Sequence, residues 1–303
     1  RAIDARTGSI QWLWDPIPKS MNDGAKATWS DDSNLNTGAA NAWAPLTADP
    51  SSGLIFVPTS SPSPDFFGGE RLGNNLYSNS IVALEGSTGK VVWFQQLVHH
   101  DLWDYDVPAQ PTLTTIRRDG KSYQAVVVVT KTGMLFAFDR YSGEPIYEIE
   151  ERAVPQSTVP GEITSPTQPF SSIASLANQS PVTTRDAFGV IFFDRLGCRR
   201  QIKKFGSEGI FTPPSLEGII MRPGYAGGSN WGGVAVDLER QIAVTNVNEM
   251  PALIRLVPRA DLERLKAEGQ LKGWQITEQR GTPYYLARRI FLSPLNLPCT
   301  KPP

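Results

Sequence analysis

The chain has 303 residues, 40% of them hydrophobic, with 26 Gly and 25 Pro, so it carries enough apolar material for a sizeable core and a high density of turns. Its net charge of −1 supplies no cationic surface for phosphates, which excludes nucleic acid as an expected partner. No run of about 18 apolar residues is present to cross a membrane as a helix.

From the N-terminus onward, one pattern recurs in four segments, residues 2–12, 83–93, 137–147 and 234–244. An apolar strand ends in a turn carrying Asp or Glu and usually Gly, and a second strand follows, most often with an aromatic residue near its end. Trp12 closes the first copy, Trp93 the second and Tyr147 the third; the fourth is the most degenerate. The Thr-Gly or Ser-Gly pair gives the backbone freedom for a tight hairpin, so each copy reads as two antiparallel strands. The aromatic rings are expected to fill the space between neighbouring sheets. Residues 53–58 and 124–130 are β-branched strands, and the second leads through Lys131-Thr132-Gly133 into another strand at 134–139. Residues 155–180, rich in Pro, Ser and Thr, read as a long ordered loop, and residues 260–269 as the one helix, with Leu262 and Leu265 as its apolar stripe. Repeated short antiparallel sheets make the fold class all-β, a β-propeller.

The chemistry concentrates in residues 91–111. There an apolar strand runs into Asp101, Asp104 and Asp106, the adjacent pair His99-His100, and Trp103 and Tyr105, then stops against prolines. A strand ending in titratable groups is how a rigid scaffold presents chemistry at its rim. Neighbouring strand residues point to opposite faces, so the two histidines are not expected to share a metal. One of them is expected to orient the Asp-bearing loop, the other to pack or be solvated. Read without further context, Asp104 is better suited to capping a turn than to acting as a base. Cys198 and Cys299 leave two readings open, a disulfide formed in an oxidising compartment or two separate thiols.

The Thr-Gly-Lys-x-x-Trp copies resemble the tryptophan-docking repeats of quinoprotein dehydrogenases, eight-bladed propellers of four-stranded blades that carry pyrroloquinoline quinone (PQQ). The run from His99 to Asp104 continuing to Pro108-Ala109-Gln110-Pro111 resembles the membrane-bound glucose dehydrogenase branch, as do Ala42-Trp43-Ala44-Pro45-Leu46, Asn230-Trp231-Gly232-Gly233 and Phe291-Leu292-Ser293-Pro294. The likeness runs in order through residues 1–303, which read as one partial propeller domain, the central portion of a longer chain and about half the ring. It implies oxidation of a sugar or polyol hydroxyl, glucose-type favoured, with Asp104 as general base and Lys131 donating to the quinone oxygens. Trp43, Trp231 and Asn246 are implied as cofactor contacts. The resemblance also implies a Ca2+ or Mg2+ ion whose ligands are not named in this chain, and ubiquinone as electron acceptor. The expected location is the periplasmic face of the bacterial inner membrane, reached through an anchor outside this chain. Quinate, shikimate or glycerol are the alternative substrates, and a cofactor-free propeller scaffold is the alternative class. Half a ring leaves strand edges open, so the segment alone is expected to be poorly soluble or inactive.

Overall fold

The structure is a computed structural model and describes residues 1–19 and 23–301. Its regular structure is mostly short antiparallel sheets joined by long irregular connections. Strands β1 (Ala2–Ile3) and β2 (Ile10–Trp12) form a hairpin. Strands β3 (Thr47–Asp49), β4 (Leu54–Pro58), β5 (Ser80–Glu85) and β6 (Val91–Gln96) form a four-stranded sheet in that order. A three-stranded sheet follows, β7 (Thr112–Arg118), β8 (Lys121–Val129) and β9 (Leu135–Asp139). Then come the hairpin β10 (Ile149–Ala153) with β11 (Thr167–Ser171), strand β12 (Ile219–Met221), and the hairpin β13 (Ala235–Asp237) with β14 (Ile242–Val244). Strands β15 (Ala252–Pro258), β16 (Gln275–Glu278) and β17 (Tyr284–Ile290) complete a second four-stranded sheet ordered β12-β15-β17-β16.

The repeated tryptophans join successive sheets by one geometry. Trp12 donates its indole N–H to the Gly86 carbonyl at 3.0 Å, and Trp93 donates to the Arg140 carbonyl at 3.0 Å. Each ring lies over the glycine three residues further on, so a Cβ added at Gly89 would meet Trp12 at 2.4 Å and one at Gly143 would meet Trp93 at 2.6 Å. The Thr-Gly turn is therefore both a hairpin and a floor for the preceding repeat's indole. Trp93 then packs between Phe56 and Phe138, at ring separations of 5.9 and 6.2 Å, and so belongs to the apolar core shared by the two sheets. A polar latch adds to this seam: Asp49 on β3 accepts from Arg140 of the next sheet at 3.1 Å. Gly143→Val is expected to destabilise the fold by about 2–4 kcal/mol, since it forces a β-branched residue into φ +76° against an indole. A urea midpoint measured on the full-length parent reads this directly.

Three sequence expectations need correction. The third repeat makes only an isolated bridge, Phe138 to Pro145, because Pro145 has no N–H with which to extend a ladder; its sheet stays at three strands rather than four. The segment 155–180 is not all loop, since β11 falls within it and pairs along its length with β10. The helix foreseen near Leu262 is present as Leu262–Ala267, but the longest helix among the described residues, Phe192–Lys204, was unforeseen. Its buried side is Asp194, Cys198 and Ile202, while Phe192 and Phe193 face outward, so its apolar residues do not trace a stripe.

Cys198 on that helix is disulfide-bonded to Cys299, which decides between the two readings of the cysteines. The bridge packs with Phe205, Ile220, Leu253 and Phe291 in a small satellite core. It closes a loop of 101 residues. Removing it with a Cys198→Ser/Cys299→Ser pair is expected to cost about 2–5 kcal/mol, read as a lower denaturant midpoint. No helix among the described residues is long and apolar enough to cross a membrane.

Candidate active site

The loop that follows β6 is locked before it reaches its carboxylates. Leu102, Trp103, Tyr105 and Val107 are all buried. Trp103 stacks on Tyr105 at 6.1 Å and meets Phe211 edge-on at 5.1 Å. Their polar ends are satisfied as well: Trp103 donates to the Thr212 carbonyl and Tyr105 to the Pro223 carbonyl, both at 2.7 Å. The residues between these anchors, Asp104 and Asp106, are thereby turned the other way and held on a fixed backbone.

The three aspartates do three different jobs. Asp101 is the turn cap, accepting from the Trp103 and Tyr105 backbone N–H groups at 3.0 and 2.8 Å and from the Asn79 amide at 2.9 Å. Asp106 is a structural acceptor, taking the Ser61 N–H at 2.7 Å, the Trp43 indole N–H at 3.2 Å and the Lys131 ammonium at 2.8 Å. Asp104 has the left-handed backbone of φ +58° that Asp tolerates better than most residues, and among the described residues its carboxylate is hydrogen-bonded only by Lys131, at 3.0 Å. Its side chain is 25% exposed, against 7% for Asp106 and for Lys131, so it is the most open of these three.

Electrostatics follow from this placement. Burial pushes the Asp104 carboxyl well above the usual carboxylate range; the Lys131 ammonium opposes the rise and the Asp106 charge reinforces it. Burial alone would lower the Lys131 ammonium, but Asp104 and Asp106 outweigh it and hold the group charged. Lys131 sits in the turn between β8 and β9, whose glycine, Gly133, has φ +73°. The backbone of Gly227-Gly228 packs directly on it, with a Cβ at Gly227 reaching Lys131 at 2.6 Å.

Of the residues singled out in sequence, Trp43, Asp104 and Lys131 thus meet in one hydrogen-bonded cluster through Asp106. Trp231 and Asn246 join it indirectly. They belong to the segment that begins at Gly227, Gly232 lies against the Asn246 amide, and Trp231 is 77% exposed. The histidines diverge, though not by strand alternation, since β6 ends at Gln96 and His100 sits in a bend with φ +45°. His99 is hydrogen-bonded with Gln96 at 2.8 Å and Glu151 at 3.0 Å, while His100 is buried between the Gly73 carbonyl and Glu162, both at 2.7 Å. Sequence reasoning missed Glu162, Arg71 and the role of Asp106. Arg71, fully buried, donates to the Asp101 and Pro64 carbonyls at 2.6 and 2.8 Å and ties the aspartate loop to the segment carrying Asp65. Glu162 and Arg71 lie far from the loop in sequence or inside an unremarkable turn, and no local pattern marks them.

The whole chain, residues 1–303, matches the family described as PQQ glucose/ethanol/alcohol dehydrogenase, beta-propeller domain. It belongs to that family. It is 38% identical over its full length to the quinoprotein glucose dehydrogenase of Escherichia coli (strain K12), and 34% identical to the quinate/shikimate dehydrogenase (quinone) of Acinetobacter baylyi. In both cases it spans 38% of the relative's length. The quinohemoprotein alcohol dehydrogenase of Comamonas testosteroni has a similar fold, with a TM-score of 0.60 at 22% identity over 99% of this chain and 39% of that one.

The residues of this quinoprotein domain fit PQQ, a flat quinone with three carboxylates. Lys131 has three N–H groups, of which Asp104 and Asp106 engage two, and the third remains for a quinone oxygen. Trp43 is 46% exposed yet fixed by its indole hydrogen bond, which presents an immobilised aromatic face beside the lysine. Among the described residues no three His, Cys, Asp or Glu side chains gather as a metal-binding group, so no metal ligand is assigned.

Proposed function

We propose that the parent protein is a PQQ-dependent dehydrogenase that oxidises a sugar or polyol hydroxyl, with glucose-type substrates favoured. The observation that carries this reading is Asp104, a carboxylate raised in basicity by burial, partly open, and held at 3.0 Å on the Lys131 ammonium. When bound, PQQ supplies the acceptor for the hydride that leaves the carbinol carbon. Asp104 would take the hydroxyl proton as the carbonyl forms, through the carboxylate oxygen that Lys131 does not engage. Lys131, held in place by Asp104 and Asp106, would donate to the quinone oxygens that gain negative charge. Trp43, with Trp231 and Asn246 on the facing segment, would hold the ring.

A Ca2+ or Mg2+ ion, with ligands drawn from outside the named residues, belongs to this reading. So do transfer of electrons to ubiquinone and a periplasmic location reached through an anchor beyond this chain. The alternative of a cofactor-free scaffold gives no reason for a buried lysine flanked by two carboxylates beside an open indole. Assay of the full-length parent, supplied with PQQ and Ca2+ or Mg2+ and a dye acceptor, on glucose, quinate and glycerol tests the reading. PQQ-dependent oxidation with glucose preferred is the expected result; a protein that takes up no PQQ is a scaffold, and preference for quinate or glycerol moves the substrate.

A further inference from the structure

A pocket of about 450 Å³ lies where the Ser63–Phe66 stretch meets Asn36 and the tip of the β16–β17 hairpin, and Arg71, which donates to the Pro64 and Asp101 carbonyls, ties that stretch to the aspartate loop. Two groups in its wall are chemically incomplete. Gln279 is only 6% exposed; its side-chain carbonyl accepts from the Phe66 N–H at 3.2 Å, but its amide nitrogen has no partner. A buried donor left unpaired is costly and uncommon in native proteins. Asp65 makes no hydrogen bond or ion pair among the described residues. Its carboxyl is pushed up to about 6, by burial first and by the Asp101 charge second, and its own charge in turn helps to raise the Asp104 carboxyl.

We propose that this pocket is the hydroxyl-recognition subsite of the substrate, with Asp65 accepting from, and Gln279 donating to, hydroxyls other than the one that reacts at Asp104. A hydroxyl is donor and acceptor at one atom, which matches a free carboxyl oxygen beside an unpaired amide. A simple alcohol has nothing to offer these groups once its only hydroxyl is committed to the base. The remaining charges in the wall balance, Glu278 and Asp65 against Arg280 and Arg288, so a neutral sugar or polyol suits the pocket better than an anion. The inference rests on the sugar or polyol dehydrogenase reading and assigns the side of the site that reads the substrate.

The test uses the full-length parent in two readouts. In the PQQ-loaded enzyme, wild type should discriminate by about tenfold or more in kcat/KM between glucose and at least one monodeoxyglucose, as sites built around a hydroxyl do. Gln279→Leu and Asp65→Asn should each erase that discrimination while leaving PQQ uptake unchanged. In the protein without PQQ, saturation-transfer NMR should detect glucose on wild type and lose the signal in Gln279→Leu. Discrimination preserved in both variants, or a wild type indifferent to every monodeoxyglucose, overturns the subsite while the dehydrogenase reading stands. Glucose binding lost in Gln279→Leu without any turnover in wild type leaves the subsite standing and removes the dehydrogenase reading. Absence of both binding and turnover overturns both.

Discussion

Asp104→Asn in the full-length protein is expected to lower turnover by about 10²–10⁴-fold, the span that a positioned general base contributes, with PQQ uptake close to wild type. Asparagine keeps the shape and still accepts a hydrogen bond from Lys131, so the cluster holds together; what disappears is the ability to take a proton. The pH profile separates this from a packing defect. A base must be ionised to act, so wild-type kcat should rise with pH through a group whose pKa burial has raised above the ordinary carboxylate range. That ascending limb should be missing in the variant, leaving a low and flat residual rate. A proportional loss at every pH with the limb intact would assign Asp104 to structure.

Lys131→Met is expected to damage both stability and function, for separable reasons. Methionine fills the stem's volume but withdraws the one cation that, among the described residues, Asp104 and Asp106 pair with. Removing one partner of a buried ion pair leaves an uncompensated charge at a cost of about 3–5 kcal/mol. The lower end is expected here, because Asp104 is partly open and can protonate. Affinity for PQQ and turnover should fall together by at least about tenfold, since hydrogen bonds to charged groups contribute about 1.5–3 kcal/mol. Adding Asp106→Asn to Lys131→Met removes the stranded charge while keeping an acceptor for the Ser61 N–H and the Trp43 indole. The double variant should regain most of the denaturant midpoint and none of the turnover. Recovery of both would make the lysine a structural counterion and no more.

Much of the scaffold was legible because it is written locally. Turn glycines followed at fixed distance by tryptophan gave the hairpins, and Trp12 and Trp93 do dock on the turn of the following repeat. What local pattern could not convey was failure of a strand to form where Pro145 interrupts the ladder, or a helix such as Phe192–Lys204 whose exposed phenylalanines and buried aspartate invert the usual stripe. The disulfide was one of two open readings, and only the tertiary fold, which brings cysteines 101 residues apart to a Cα separation of 5.3 Å, decides it. At the site, the resemblance to quinoproteins directed attention to Asp104 and Lys131, but the sequence did not distinguish the three aspartates of one short loop. Their division of labour depends on partners contributed by Asn79, Ser61, Trp43 and Lys131, each from a different part of the chain. Gln279 carries no motif, Asp65 belongs to a run, residues 64–69, that resembles the family without marking a role for it, and only the pocket they share brings the two together.

The most direct measurement of the central claim is a single turnover. Full-length protein loaded with PQQ is mixed anaerobically with glucose, and the quinone absorbance is followed in wild type and in Asp104→Asn. The structure predicts a substrate-dependent absorbance change in wild type and, in a variant that has bound the same amount of PQQ, a change slower by two orders of magnitude or more. An equal rate in both proteins, or no change in wild type with glucose, quinate or glycerol, would contradict it.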